Sequence, residues 1–302
     1  MEKIGVIGLG NIAQKAYLPV MARLQDKFEW HLTTRNPEKG AELTQKYGFS
    51  HHHQTLDELI AEHPLAVFVH TPTKTHAKII EQLLDAGINV FVDKPVSDDL
   101  DEVIHLYDLA KSKGLMLTCG FNRRFAPFND DLKDLTDKRT ITVEKTRTKV
   151  LQKPKDAIFD LAIHSVDTAL YLLDDQKIDS TQTRIVTDSE GNLAQYYLTI
   201  DAENTRINVT TNMESGVNLE KSTVQSTTER ASVINLNLLE KYQSDSIQQF
   251  HRPDWEDTLY TRGFEPMIMA FLSAVTGKTE NPISPESAIL SHRICTESLK
   301  DI

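Results

Sequence analysis

The sequence predicts an α/β protein. A doubly wound parallel domain is followed by an α+β domain with an open, largely antiparallel sheet. Three observations predict this. Residues 1–120 alternate short apolar runs with longer helical patterns. A glycine turn joins the first apolar run to the first helical pattern. After Gly120 the alternation gives way to period-two segments, and two helical patterns close the chain.

The elements read in order as follows. Ile4–Gly8 is a buried strand and Ile12–Leu24 a helix. Phe28–Thr33 is a second strand, and Glu38–Tyr47 a helix that begins after Pro37. His51–His53 is a short strand, Leu56–Ala61 a helix and Ala66–His70 a strand. Thr75–Ala86 is helical and stops at Gly87. Asn89–Val92, Leu100–Ser112 and Leu115–Cys119 complete the series as strand, helix and strand. Such repetition requires a parallel sheet covered on both faces. In the second part, Ala157–Leu173 is the clearest helix. Tyr196–Asp201 and Arg206–Thr211 flank a polar turn, and Ser222–Thr228 and Ser232–Leu236 continue the sheet. The closing helices are Glu265–Val275 and Pro285–Leu299. The expected domains are therefore 1–120 and 121–302, with the closing helices able to pack back on the first.

A chain of 302 residues is long enough for two such cores. Its formal charge of -11 argues against general nucleic-acid binding, which needs a basic face, but leaves room for a local basic pocket. The two cysteines, Cys119 and Cys295, have neither CxxC nor metal spacing, so reduced thiols in the cytoplasm are expected. The first residues, MEKIGVIGLG, read as strand and turn, not as a signal peptide. No run reaches the ~18 apolar residues of a membrane span.

Gly8-Leu9-Gly10-Asn11-Ile12-Ala13 fits G-x-G-x-x-G/A in the context the chemistry needs, after a strand and opening a helix. Gly8 permits the tight turn, Gly10 lets backbone approach a pyrophosphate, and Ala13 keeps helix and strand close. The first-turn N–H groups of Asn11 and Ile12 then face the anion. At the end of the second strand an acid usually binds the ribose hydroxyls of NAD. Here the chain reads Thr33-Thr34-Arg35-Asn36. Arg35 can pair with a 2′-phosphate and Thr34 and Asn36 can hydrogen-bond it, so NADP is expected ahead of NAD. In the competing reading Arg35 stacks on adenine or is solvated, which leaves NAD possible.

Asp93-Lys94-Pro95 follows a parallel strand at the edge where open α/β sheets hold ligands. A lysine there can exchange a proton, although a surface lysine in a strand-to-helix loop gives the same pattern. Thr71, Pro72 and His76 follow another strand at that edge, beside His70; they line the cofactor or cap the loop. Asp160 and His164 are four apart on one helix face, and Asp167 continues that face. The carboxylate can orient the imidazole; equally, Asp160 can answer the helix dipole and His164 can be a satisfied core residue. Arg123 and Arg124, within Gly120–Phe125, can meet an anionic substrate or start a solvated helix. His51-His52-His53 has no acidic partner in the linear sequence, and no metal is expected.

Gly8–Ala13, Thr71-Pro72-x-x-x-His76, Asp93-Lys94-Pro95, Gly120–Phe125 and Asp160-x-x-x-His164 together resemble the Gfo/Idh/MocA oxidoreductases. Phe271–Val275 with Gly277, then Ile283–Ala288, resemble that family's two closing helices. Ile12–Ala16, Val92–Pro95 and Gly120–Pro127 look closest to its MviM subgroup. The resemblance implies a Rossmann domain, a second domain whose open sheet often forms dimers, and reversible hydride transfer between a nicotinamide and a hydroxyl-bearing carbon of a sugar, inositol or related polyol. It makes Lys94, Asp160 and His164 the catalytic set, with His164 as proton acceptor oriented by Asp160 and Lys94 stabilising the oxygen; the converse assignment of Lys94 and His164 stays open. Asp93 and Lys94 border the cofactor, and Asn122, Arg124, Asp160 and His164 contact substrate. The family usually has Glu-Lys-Pro where this chain has Asp93-Lys94-Pro95, and Lys153–Asp156 lacks the glycine-rich approach of relatives. An NAD-dependent glycosidase and a non-catalytic dinucleotide sensor are the alternatives.

Overall fold

The structure, a computed structural model, describes residues 1–300. The chain forms two compact units: Met1–Gly120 with Phe264–Ile289, and Phe121–Gly263 with the chain from Leu290.

In the first unit, β1 (Glu2–Ile7), β2 (Phe28–Thr33), β3 (His51–His53), β4 (Ala66–Val69), β5 (Asn89–Asp93) and β6 (Leu117–Gly120) form one sheet in the order β3-β2-β1-β4-β5-β6. Every pairing is parallel. The helices between strands are α1 (Leu18–Ala22), α2 (Pro37–Tyr47), α3 (Leu56–Ala61), α4 (His76–Asp85) and α5 (Leu100–Ser112). All four residues of β4 are buried, as a central strand covered on both faces requires. The strand order reverses between β1 and β4, the switch point at which open α/β sheets take ligands.

The helix after the glycine turn is not uniformly α. Ala13–Tyr17 is a π-turn closed by Leu18 N–H donating to the Ala13 carbonyl, and α1 follows. Period-3.6 reading cannot detect one inserted residue, and such bulges collect at functional sites.

The second unit begins with α6 (Pro127–Lys133), β7 (Lys138–Thr146) and α7 (Pro154–Ala157). A second π-turn, Ile158–Ala162, leads into α8 (Ile163–Leu173). There follow β8 (Ile178–Thr187), β9 (Leu193–Ala202), β10 (Thr205–Asn212), β11 (Leu219–Ser226), β12 (Arg230–Ile234), β13 (Leu238–Gln243) and β14 (Ser246–His251). The sheet order is β14-β13-β12-β11-β7-β10-β9-β8. It is antiparallel except where β7 pairs with β10 in parallel. Ile141, Val143, Ile207 and Val209 on those two strands are buried, and α8 lies against both. Short α9 (Thr258–Thr261) ends at Arg262-Gly263.

The two late helices are α10 (Phe264–Val275) and α11 (Pro285–Glu297). A division at residue 120 alone would assign α10 to the second domain, but it belongs to the first unit. Its Phe271 ring meets those of Phe68 and Phe91 at 5.2 and 5.3 Å, completing the aromatic layer on β4 and β5. Residues of α11 to Ile289 cluster with the first unit and the remainder with the second. Cys119 and Cys295 are buried and free. No helix among the described residues is long and apolar enough to cross a membrane.

Gly263 fixes the segment that carries Asn122 and Arg123. Its φ is +79°, and a Cβ there would lie 2.1 Å from the Asn122 carbonyl oxygen and 2.7 Å from the Ala126 nitrogen. Backbone cannot yield as a flexible side chain can. Gly263→Ala is therefore expected to lose at least about 2 kcal/mol of stability, more than the ~1 kcal/mol of positive φ alone. Urea unfolding followed by circular dichroism checks this; an unchanged midpoint contradicts it.

Candidate active site

The glycine turn sits at the switch point and is forced there by backbone crowding. Gly8 has φ +92°, and a Cβ on it would stand 2.5 Å from Thr71 N and 2.6 Å from the His70 carbonyl carbon. A Cβ on Gly10, by contrast, would meet no atom within 4 Å. Protein packing does not demand glycine at residue 10, whereas close approach of a ligand does. Asn11 and Ile12 open the helix whose first-turn N–H groups lack intrahelical acceptors. This arrangement fits a pyrophosphate. Beyond β2, Thr34 Oγ1 accepts from Asn36 N at 3.4 Å, and Asn36 Oδ1 caps α2 by accepting from Lys39 N at 3.0 Å. Arg35 is exposed and makes no hydrogen bond or ion pair among the described residues.

Lys94 follows β5 at the same sheet edge and is half-buried. Its surroundings are built from residues that linear reading left minor or missed. Tyr17, fully buried on the π-turn, donates its phenol to Asp93 Oδ1 at 3.0 Å. Burial raises the Asp93 carboxyl above its usual range, opposed by the Lys94 charge and the Tyr17 hydrogen bond. The Tyr17 ring lies on His70 with centroids 3.9 Å apart. His70 is buried, and neither ring nitrogen has a hydrogen-bond partner among the described residues. His76, expected at the cofactor, is 2% exposed. Its ring nitrogens lie 2.7 Å from the Thr71 carbonyl oxygen and 2.9 Å from that of Pro95. It ties together the loops after β4 and β5. Thr71 Oγ1 accepts from Thr75, and Pro72 precedes the short turn that leads to α4.

In the second unit the segment after β6 is spent inward. Asn122, 1% exposed, donates to the Arg262 carbonyl at 2.8 Å. Arg124 forms a two-pronged pair with Asp167, its nitrogens 2.6 and 3.0 Å from the carboxylate, and Ser291 also donates to that carboxylate. Both side chains thus have protein partners where linear reading gave them none. A 1%-exposed carboxylate needs such a partner, and Arg124 is the one supplied.

Asp160 lies on the π-turn and is exposed, accepting from Gln152 Nε2 at 3.0 Å. The wider turn alters the one-face relation that uniform α spacing gives to residues 160 and 164. His164 lies in the first turn of α8 and is buried; Arg123 Nη1 lies 3.2 Å from both its ring nitrogens. Arg123 in turn grips Glu220 at 2.8 and 3.0 Å, and Lys145 donates to the same carboxylate at 2.7 Å. Burial opposes ionisation of Glu220, but Arg123 and Lys145 hold its carboxyl well below the usual range. Lys145 is fully buried; burial first, then Arg123, lowers its ammonium to about 7. One signal for Lys145 was available: it continues the inward alternation of Ile141 and Val143 where an apolar residue belongs.

His51–His53 acquire acidic neighbours that linear reading did not give them. Parallel register sets His31 beside His51, and alternation puts Glu29 and His53 on the same face. His31 lies 2.9 Å from both His53 Nε2 and Glu29 Oε1. Ligand-type atoms of Glu29, His31 and His51, and of His31, His53 and Glu62, gather within 4.8 Å.

Comparison with known proteins agrees with both halves of this description. A family model described as "Oxidoreductase family, NAD-binding Rossmann fold" matches residues 2–121, and one described as "YceM-like, C-terminal domain" matches 127–244. The chain is 30% identical to "Putative oxidoreductase YceM" of Salmonella typhimurium, over 99% of this chain and 97% of that one. It superposes on a crystal structure of a dehydrogenase (MviM) from Clostridium difficile with TM-score 0.95 and 28% identity, covering 100% and 99% of the two chains. A UDP-N-acetylglucosamine 3-dehydrogenase of Acidithiobacillus ferrooxidans is 28% identical over 66% of this chain and 63% of its own.

His70 gives these contacts a pH signature. Burial, with the neighbouring His76, lowers its imidazole from the ordinary 6.5 to about 3. Between those values the unfolded chain binds a proton that the folded chain does not, so this residue's effect on stability becomes less favourable as pH falls below about 6.5. His70→Phe removes the proton while keeping a ring against Tyr17. The stability difference between wild type and His70→Phe should move in the variant's favour from pH 7 to pH 4, read from urea unfolding at each pH. A pH-independent difference contradicts the burial argument.

Proposed function

The chain belongs to the Gfo/Idh/MocA oxidoreductase family, and on that premise we propose that it transfers hydride between NADP and a hydroxyl-bearing carbon of a sugar, inositol or related polyol. One observation carries the reading. Lys94 stands at the carboxyl end of β5, on the sheet edge where Gly8 and Gly10 prepare a pyrophosphate site. When bound, the nicotinamide supplies the hydride acceptor or donor. The protein's own part is binding, orientation and proton handling. In the oxidising direction His164 takes the substrate hydroxyl proton, Lys94 stabilises the oxygen, and Asp160 supplies a carboxylate close before His164 in the chain. Tyr17 and Asp93 fix the approach of Lys94.

For the cofactor, Arg35 supports NADP: it is exposed, unpaired, and stands where an acid would exclude a 2′-phosphate. The related UDP-N-acetylglucosamine 3-dehydrogenase supports a sugar-like substrate. A homodimer through the second sheet remains part of this proposal. On that sheet Thr142, Glu144, Lys221, Thr223, Gln225 and Arg230 line a shallow depression of about 150 Å³.

Lys94→Ala and His164→Ala should each slow single-turnover hydride transfer by about 10²-fold or more. NADP affinity should stay within about threefold of wild type, since neither residue holds the pyrophosphate. Collapse of cofactor affinity with unchanged turnover per bound complex would reverse these roles. Gly10→Val should do the opposite, losing NADP affinity while the fold survives. Arg35→Ala should weaken NADP about 10-fold and leave NAD nearly unchanged, the scale of one charge-assisted contact. Fluorescence titration with each dinucleotide reads both constants, and tighter NAD than NADP binding by wild type contradicts the assignment.

A further inference from the structure

The histidines at the β2–β3 edge of the first unit have no part in hydride transfer, yet they converge. β3 is the edge strand, and its parallel register sets His51 opposite His31 and His53 opposite Thr33. Alternation along both strands brings Glu29, His31, His51 and His53 to one face. Their contacts meet at His31, which is 1% exposed. Its Nε2 lies 2.9 Å from Glu29 Oε1, and His51 Nε2 lies 3.7 Å from the same oxygen. Its Nδ1 lies 2.9 Å from His53 Nε2. A tetrahedral ion with bonds of about 2.1 Å holds its ligand atoms roughly 3.4 Å apart. The two separations at Glu29 bracket that value.

A buried imidazole needs a partner for each ring nitrogen, and Glu29 and His53 already satisfy His31. His51 is a surplus donor. Its side chain is 44% exposed and its ring makes no hydrogen bond among the described residues. Glu62 also comes near His31 and His53, but Lys3 holds its carboxylate at 2.7 Å, which leaves Glu29 as the available acid. We propose that Glu29, His31 and His51 bind one Zn²⁺ through Oε1 and the two Nε2 atoms, with water in the fourth position. Two imidazoles and a carboxylate suit zinc, whereas Mg²⁺ and Ca²⁺ favour oxygen ligands. With Nε2 on the ion, His31 carries its proton on Nδ1 and donates it to His53, which fixes the ring. The His31 and His51 rings are parallel within 8°, so the more exposed His51 turns to bring its lone pair to the ion. β1 and β4 separate β2 from β5, roughly 14 Å of sheet, so the ion stands apart from Lys94. Its role is to clip a three-residue edge strand to β2. That strand's His53 carbonyl accepts from Thr34 N at 3.1 Å, beside Arg35.

Zinc binding is read without substrate or dinucleotide. The full chain, free of any affinity tag and stripped with EDTA, is titrated with ZnCl₂ in competition with a chromophoric chelator. One ion per chain should bind with Kd of about 1 µM or tighter. His51→Ala and Glu29→Gln should each weaken it about 10-fold or more, and His53→Ala about 10-fold through the orientation of His31. Circular dichroism checks that each variant is folded, and the partly exposed positions 29 and 51 keep the test independent of the buried His31. His52 is the control. Alternation turns it to the other face, where a Cβ on Gly40 of α2 would stand 2.9 Å from its ring. His52→Ala should therefore bind zinc as wild type does, and excess MgCl₂ or CaCl₂ should not displace the ion. A Kd weaker than about 100 µM, or affinity that survives both His51→Ala and Glu29→Gln, overturns the site. An equal loss in His52→Ala means adventitious chelation by the histidine run and overturns it too.

Discussion

The sheet edge of the first unit depends on one close approach. Where β1 and β4 diverge, the space a side chain would take at Gly8 is filled by the backbone of His70 and Thr71. Gly8 N donates to the Thr33 carbonyl at 3.3 Å and His70 N to that of Ile7 at 2.8 Å, so the ends of three parallel strands are tied across the switch point. The consequence propagates by contact. With Thr71 fixed, His76 connects its carbonyl to that of Pro95, and Pro95 follows Lys94. A glycine chosen for lack of a Cβ thus bears on a lysine 86 positions later in the chain. The glycine turn and the motif lysine are one mechanical system more than two motifs.

Tyr17 adds a second support from a different direction. The π-turn carries its ring over His70 and its phenol to Asp93. An aspartate is one methylene shorter than the glutamate usual in the family, and a phenol within hydrogen-bond reach suits a carboxylate that cannot extend further. In the second unit the other π-turn carries Asp160 and runs directly into α8, whose second residue is His164. Both wide turns thus lie in segments already marked by chemical motifs, where a local departure from α geometry re-aims side chains without breaking the helix.

Much of the first unit is legible in the sequence because its strands are short apolar runs and its helices carry caps. Thr55 and Glu58 form a capping box, Asp99 caps α5, and Gly48 ends α2 in the left-handed region. The second unit is less legible. β7 reads Lys-Arg-Thr-Ile-Thr-Val-Glu-Lys-Thr, and its inward lysines at 138 and 145 disguise the alternation. β14 is exposed at every position and has no core pattern to read. The membership of α10 in the first unit follows from a three-dimensional match of aromatic rings that no local period contains. For the site, residue identities were legible and their partners were not. Arg124 is conspicuous in the sequence, but its pairing with Asp167, 43 positions on, shows only in three dimensions.

The charge distribution joins these points. The chain carries a formal charge of -11, yet it sets Arg123 and Lys145 on the buried carboxylate of Glu220. Surface carboxylates act on that group weakly, because screening at physiological salt falls off within about 8 Å. Inside the protein, where water is scarce, the same charges interact more strongly. The buried network therefore depends on its own pairing: Arg123 and Lys145 offset the cost of burying the Glu220 carboxylate, and losing either partner would leave that charge under-compensated.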